Sequence, residues 1–226
     1  MDEGQLLDYK DSLREGLLKY TRKAFGKMPR IKSRSILDIG CGSGIPTLEL
    51  ARLSDGNITA IDTNRSELER LLHKIEKAGL TSRIKVEERS MIAMDFREED
   101  FDIIWAEGAI NVIGFEKGLR DWRRFLKNEG FLVIHDEMGE LTEKRKMISK
   151  YEYELIDHFI LSEDIWRDEY FTPLKNKIIN IREISGDIQI DNPVLGEMER
   201  EVEFFEQDPK RNRSVFLIMK KVDRNV

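Results

Sequence analysis

The chain has 226 residues, with 38 Lys and Arg against 44 Asp and Glu and a formal net charge of −6. That length, with 40% hydrophobic residues and charges mixed in sign, suffices for the core of one ordinary domain and excludes a disordered chain. No repeat points to a solenoid, the acidic balance weighs against a duplex-DNA binder, and the one cysteine, Cys41, offers neither a disulfide nor a thiolate cluster for a metal.

No apolar run approaches the roughly 20 residues that cross a bilayer. Met1-Asp2-Glu3-Gly4 lacks the basic-then-apolar pattern of a signal peptide. A cytoplasmic protein with a small-molecule partner, no metal and no membrane association is expected.

In chain order, Leu6, Leu7, Leu13, Leu17, Leu18 and Phe25 predict one or two amphipathic helices, closed by Met28-Pro29-Arg30. Ile36-Leu37-Asp38-Ile39 reads as a buried strand entering the turn Gly40-Cys41-Gly42-Ser43-Gly44. Pro46 then opens a helix bearing Leu48, Leu50, Ala51 and Leu53. A second strand, Ile58-Thr59-Ala60-Ile61-Asp62, precedes a helix marked by Leu68, Leu71, Leu72 and Ile75 that ends near Gly79. Ile84-Lys85-Val86 and Phe101-Asp102-Ile103-Ile104-Trp105 predict the third and fourth strands. Residues 119–126 predict a helix, and residues 131–134 a fifth strand behind a turn at Asn128-Glu129-Gly130. Repeated βα units with apolar strands predict a parallel sheet with helices on both faces.

Past His135 a helix near 140–150 precedes a strand over 153–161, and the final strand is expected over 214–219. About fifty mostly helical residues lie between these strands, too many for a routine connection, so they read as an irregular cap or a substrate-covering insertion. Asp191-Asn192-Pro193 and Asp208-Pro209 punctuate it.

The three glycines of the first turn allow a sharp bend and close backbone approach to a ligand, with the N–H groups of the next helix pointing at it. A nicotinamide or flavin fingerprint would need glycine where Ile45 stands. With Asp38 in register, the stretch instead resembles motif I of the class I S-adenosylmethionine-dependent methyltransferases, an acidic residue followed by G-x-G-x-G. The resemblance covers about residues 15–137. The run from Phe101 to Gly114, with Leu119, Trp122, Leu126 and Gly130, looks like a group of uncharacterised bacterial and archaeal members related to the small-molecule, quinone-biosynthesis type. Trp166, Tyr170, Phe171 and Pro173 extend the similarity more loosely.

This resemblance implies an α/β fold: a Rossmann-like three-layer α/β/α sandwich around a mostly parallel seven-stranded sheet, with an antiparallel last strand and a helical cap insertion. It implies one domain over 1–226, with an N-terminal helical segment (1–30), a cofactor-binding core (31–137) and a C-terminal part (138–226) whose cap spans about 162–213.

It assigns S-adenosylmethionine to Asp38, Gly40, Cys41, Gly42 and Gly44 in the turn, to Asp62 and Thr63 after the second strand, to Ser90 and Met91 after the third, and to Glu107 after the fourth. An acidic residue closing the second strand can accept hydrogen bonds from both ribose hydroxyls, and Asp62 lies 22 residues beyond Gly40; its plain alternative is a helix cap or turn. The pattern usually carries an acidic residue where Ser90 stands. Serine can still bond to adenine, and Met91 can pack on the ring or serve as core.

Transfer of a methyl from a sulfonium requires in-line positioning more than acid or base help. Glu107 and His135 are the candidates for a base or orienting group, with Asp136 and Glu137 beside them; His135 can equally be a structural residue at a strand end. Trp166, Tyr170 and Phe171 are candidate walls for an apolar or planar acceptor, or else local core. Tyr20 and Arg22 could close over the cofactor, with surface ion pairing the commoner fate for Arg22. Cys41 reads as a small packed residue and His73 as a surface one.

Residues 197–203 look like a solvated helical face, and the basic loop Lys210-Arg211-Asn212-Arg213, without aromatic interleaving, is weak evidence for RNA. The expected function is methyl transfer from S-adenosylmethionine to a small-molecule acceptor. Methylation of RNA or protein, or cofactor binding without catalysis, are the alternatives; a homodimer is left open.

Overall fold

The computed structural model describes residues 2–29, 34–185 and 192–222; Arg30 and Asp191, at two of the boundaries read from sequence, lie outside the described residues. The apolar runs become strands β1 (Ser35–Ile39), β2 (Asn57–Asp62), β3 (Ile84–Glu88), β4 (Phe101–Glu107), β5 (Leu126–Glu137), β6 (Tyr153–Leu161) and β7 (Ser214–Lys221). They form one sheet of order β3-β2-β1-β4-β5-β7-β6. β7 runs antiparallel to both of its neighbours, and every other pairing is parallel.

Strands apolar at nearly every position need cover on both faces. Ile36, Ile58, Ile103, Trp105 and Val133 face one core with α1 (Glu3–Phe25), α2 (Ile45–Leu53) and α3 (Arg65–Lys77), through Ala24, Leu50 and Leu71. Leu37, Ile39, Ile104, Leu132 and Ile134 face the other, against α4 (Phe115–Trp122) and α5 (Leu141–Lys150), through Leu119, Trp122 and Ile148. The three-layer sandwich follows from that alternation.

Between β6 and β7 the chain builds a cap from α6 (Glu163–Trp166), a π-helical turn (Arg167–Phe171), α7 (Thr172–Ser185) and α8 (Pro193–Gln207). Leu6 and the cap residues Tyr170, Phe171, Leu174, Met198, Val202 and Phe205 form a third core, with Phe171 stacked on Phe205 at 4.0 Å. One helix, α1, thus packs on the sheet with its C-terminal half and on the cap with its N-terminal half.

The sequence expectation differs at two places. α1 is a single helix of 23 residues with an Asp2–Gln5 capping box, and it ends at Gly26, before Pro29. The helix expected over 119–126 instead begins at Phe115 and gives way to a 3₁₀ turn at Arg123–Phe125, and Leu126 opens β5 opposite Phe101. Asn128-Glu129-Gly130 is not a turn between elements but an irregularity inside that strand. Glu129 has φ 64°, and the register slips from Phe101↔Leu126 to Ile103↔Phe131.

Gly44 caps α2 with φ 80°, and a Cβ there would lie 2.1 Å from Leu71 Cδ1. Gly44→Ala combines left-handed strain with overpacking and is expected to cost about 2–4 kcal/mol in denaturant unfolding. A loss below about 0.5 kcal/mol would show that the turn relaxes.

Candidate active site

In an open α/β sheet the ligand crevice lies beyond the carboxyl ends of the strands. Here the ends of β1, β2, β4 and β5 open onto two adjoining cavities, of about 640 Å³ and 290 Å³, which share Gly40 and Gly108 as walls. Gly40, Gly42 and Gly44 all have positive φ, but their surroundings differ. A Cβ on Gly40 would meet that of Ala109 at 2.5 Å, whereas one on Gly42 would meet nothing within 4 Å. Gly42 therefore presents bare backbone to the larger cavity. Gly44 lines neither cavity and serves the turn itself.

The turn is held from outside. Asp62 accepts the Gly42 N–H on Oδ2 and the Asn64 N–H on Oδ1, both at 2.9 Å, and the residue lines the smaller cavity with acceptor capacity left on each oxygen. Asp11 of α1, buried, accepts the Ser43 hydroxyl at 2.7 Å and the Lys74 ammonium at 2.6 Å, and pairs with Arg70.

Thr63, Ser90 and Met91 line the smaller cavity with Asp62. At its rim Ile92 and Val112 are 63% and 69% exposed, unusual for side chains of their kind. Two aliphatic flanks and a carboxylate suit a planar, hydroxyl-bearing ligand. Ser90 Oγ is engaged as an acceptor for the Ile92 N–H at 3.3 Å.

The larger cavity is lined by Asp38 and Glu107, neither of which is paired with a cation among the described residues, and also by Arg14 and Arg211. Asp38 is buried and takes the Thr47 hydroxyl at 2.6 Å, and burial pushes its pKa up to about 7. Glu107 accepts both Thr21 Oγ1 (2.9 Å) and Trp105 Nε1 (2.7 Å) on Oε1, leaving Oε2 without a hydrogen bond among the described residues. Burial, with the Asp38 charge nearby, likewise raises it to about 7.

His135 is Glu107's cross-strand neighbour on the same sheet face. Burial lowers its pKa to about 4, so at neutral pH it is an uncharged imidazole. It sits in a row of rings, Phe159–Phe216–His135–Trp166, with centroid separations of 5.0, 4.3 and 5.9 Å. Its Nε2 lies 2.8 Å from Ser214 Oγ.

Trp166, Tyr170 and Phe171 line the larger cavity and are also core: Tyr170 and Phe171 are buried, and the Tyr170 hydroxyl donates to Glu201 at 2.9 Å. Each of the three is thus at once part of the cap's core and part of the cavity's lining. Cys41 is buried with its thiol pKa raised by desolvation, which suits a packed residue. Tyr20 lines the cavity and donates to Glu169, but Arg22 turns outward to Glu49 at 2.5 Å and lines neither cavity. The residues that sequence reasoning missed are the partners Thr21, Thr47 and Ser214, isolated hydroxyls with no pattern around them, and Gly108, whose place between the cavities follows only from the end of β4.

Residues 36–130 match the family model for a methyltransferase domain. The chain is 27% identical over 127 residues to methyltransferase GfsG of Streptomyces halstedii, covering 56% of this chain and 46% of that protein. It is 28% identical over 130 residues to the 27-O-demethylrifamycin SV methyltransferase of Amycolatopsis mediterranei, covering 57% and 48%. The chain thus matches about half the length of these curated relatives.

Among solved structures, the [4+2]-cyclase SpnF superposes with a TM-score of 0.74 at 17% identity, covering 90% of this chain and 80% of that one. A methyltransferase from Geobacter sulfurreducens in complex with S-adenosyl-L-homocysteine superposes with 0.68 at 14% identity, covering 89% and 90%. Sheet order, glycine turn and these matches make the chain similar to the class I S-adenosylmethionine-dependent methyltransferases. That similarity is concentrated in the sheet, where the methyltransferase-domain model covers residues 36–130, less than half of the chain.

The raised Glu107 pKa has a measurable sign. Between its ordinary value of 4.5 and about 7 the folded chain holds a proton that the unfolded chain has lost, so this group's contribution to stability falls as pH rises through that window. Glu107→Gln is expected to lessen the fall in stability between pH 5 and 8, leaving the share that Asp38 contributes, and to raise stability at pH 8 by about 1–2 kcal/mol. An unchanged profile would place the titration elsewhere.

Proposed function

We propose that this protein transfers a methyl group from S-adenosylmethionine to a small-molecule acceptor. The observation that carries the reading is the pair of cavities joined at Gly40 and Gly108, one with the Asp62 carboxylate and aliphatic flanks, the other with Glu107, His135 and an aromatic wall. The cofactor fits on the chain's own geometry, because Gly42 leaves open the space that any Cβ would fill.

Asp62 would take the ribose hydroxyls, Thr63, Ser90 and Met91 would flank the adenine, and the turn with Asp38, Cys41 and Glu107 would border the methionine portion. When bound, S-adenosylmethionine supplies an electrophilic methyl group on a sulfonium. The chain contributes position, exclusion of water by α1 and the cap, and Glu107 Oε2 as a proton acceptor near neutral pH. In this reading residues 31–137 hold the cofactor and residues 162–213 select the acceptor.

Calorimetry with S-adenosylmethionine and S-adenosylhomocysteine tests the cofactor; a folded protein that binds neither sinks the reading. Asp62→Ala is expected to weaken binding at least tenfold, about 1.4 kcal/mol. Gly42→Ala is expected to fold, at a cost of about 1–2 kcal/mol, yet to lose cofactor affinity. Incubation with methyl-labelled cofactor and a small-molecule extract should yield a labelled metabolite; binding without transfer to any fraction would favour a non-catalytic role.

A further inference from the structure

Ser214, buried at the start of β7, bonds to two rings at once. Its Oγ lies 2.9 Å from Trp166 Nε1 and 2.8 Å from His135 Nε2. An indole N–H can only donate, so Ser214 Oγ accepts from Trp166. The hydroxyl proton then has His135 Nε2 as its one described acceptor. A buried hydroxyl that fails to donate is penalised, which favours donation to Nε2. That nitrogen then carries the lone pair, and in a neutral imidazole the proton must sit on Nδ1.

The rest of the site is consistent with this tautomer. The ring stays neutral well below pH 7 because it is desolvated, and stacking between Phe216 and Trp166 limits its rotation. Nδ1 has no hydrogen bond among the described residues, and the residue lines the larger cavity. Next to it on the same sheet face, Glu107 offers Oε2, which can only accept when ionised.

We propose that Ser214 is a positioning residue that fixes His135 as the Nδ1–H tautomer, so that the cavity wall presents one hydrogen-bond donor beside one carboxylate acceptor. The acceptor molecule that fits this pair carries a lone-pair oxygen next to a protic nucleophile, as in a hydroxyl adjacent to a carbonyl. The nucleophile's proton would go to Glu107 Oε2 as its bond to the methyl group forms and the sulfur–methyl bond breaks. The acceptor class rests on the methyl-transfer reading; the tautomer does not.

The test is a long-range proton–nitrogen correlation spectrum of the full chain labelled at histidine nitrogen. The chain has three histidines, so His135→Gln identifies the signals. At pH 7, His135 is expected to show a protonated Nδ1 and a lone-pair Nε2. Ser214→Ala should shift the ring toward Nε2–H, and Ser214→Thr should restore the original state. An Nε2–H ring or an imidazolium in the unaltered protein overturns the proposal, as does a tautomer that Ser214→Ala leaves unchanged.

With a hydroxy-carbonyl acceptor found by methyl labelling, Ser214→Ala should lower kcat/KM about tenfold while cofactor affinity holds. If the labelled acceptor lacks the oxygen pair, the acceptor class falls. If the folded protein binds no S-adenosylmethionine, the methyl-transfer reading falls, and the spectrum still decides the role of Ser214.

Discussion

The left-handed turn after β1 is the constraint on which the remainder of the structure depends. Its alternating glycines, with φ of 72°, 50° and 80°, have no local element to hold them, so neighbours must do it. The Gly40 and Cys41 N–H groups go to the Ile61 carbonyl, the Gly42 N–H to Asp62, and the Ser43 hydroxyl to Asp11, while Gly44 abuts Leu71. Through five residues the turn couples β2, α1 and α3. Asp62, which holds the turn through the Gly42 N–H, also lines the smaller cavity, so one side chain serves both the loop and the cavity wall.

The sheet treats its carboxylates differently at its two ends. Asp102, at the edge away from the cavities, accepts from the Ser35 N–H and hydroxyl and from Lys127, and these partners hold its pKa below the ordinary carboxylate range despite burial. Among the described residues Asp38 and Glu107 receive only hydroxyl and indole donors, and burial lifts their pKa to about 7. An ion pair at Asp102 fastens strands; acids without a cation are the arrangement found where protons are moved or charged ligands met.

The elements legible in the sequence were those whose signal is local. An apolar strand, a glycine turn and an acidic residue at the next strand end are read within about thirty residues, and β1, β2 and the turn came out as expected. Leu126 was misplaced because an irregularity at Glu129 interrupts the apolar pattern of β5. Gly42 and Gly44 are equivalent on paper, and only the packing of Leu71 separates ligand-facing backbone from a crowded cap. The partners of the site's charged groups were illegible because they arrive from afar: Thr21 lies 86 residues from Glu107, and Ser214 lies 79 from His135. Arg22 pairs instead with buried Glu49 on the adjoining helix, a partner that no local pattern announces.

The placement of β7 has a consequence for synthesis. Although late in the chain, it enters the sheet between β5 and β6 and brings Ser214 and Phe216 to the larger cavity. A ribosome releases the glycine turn, Asp62 and Glu107 first, and N-terminal segments begin to fold as they emerge. Until β7 inserts, β5 keeps an unpaired edge and His135 lacks its anchor. The nascent chain therefore carries the walls of the smaller cavity long before β7 brings Ser214 and Phe216 to the larger one.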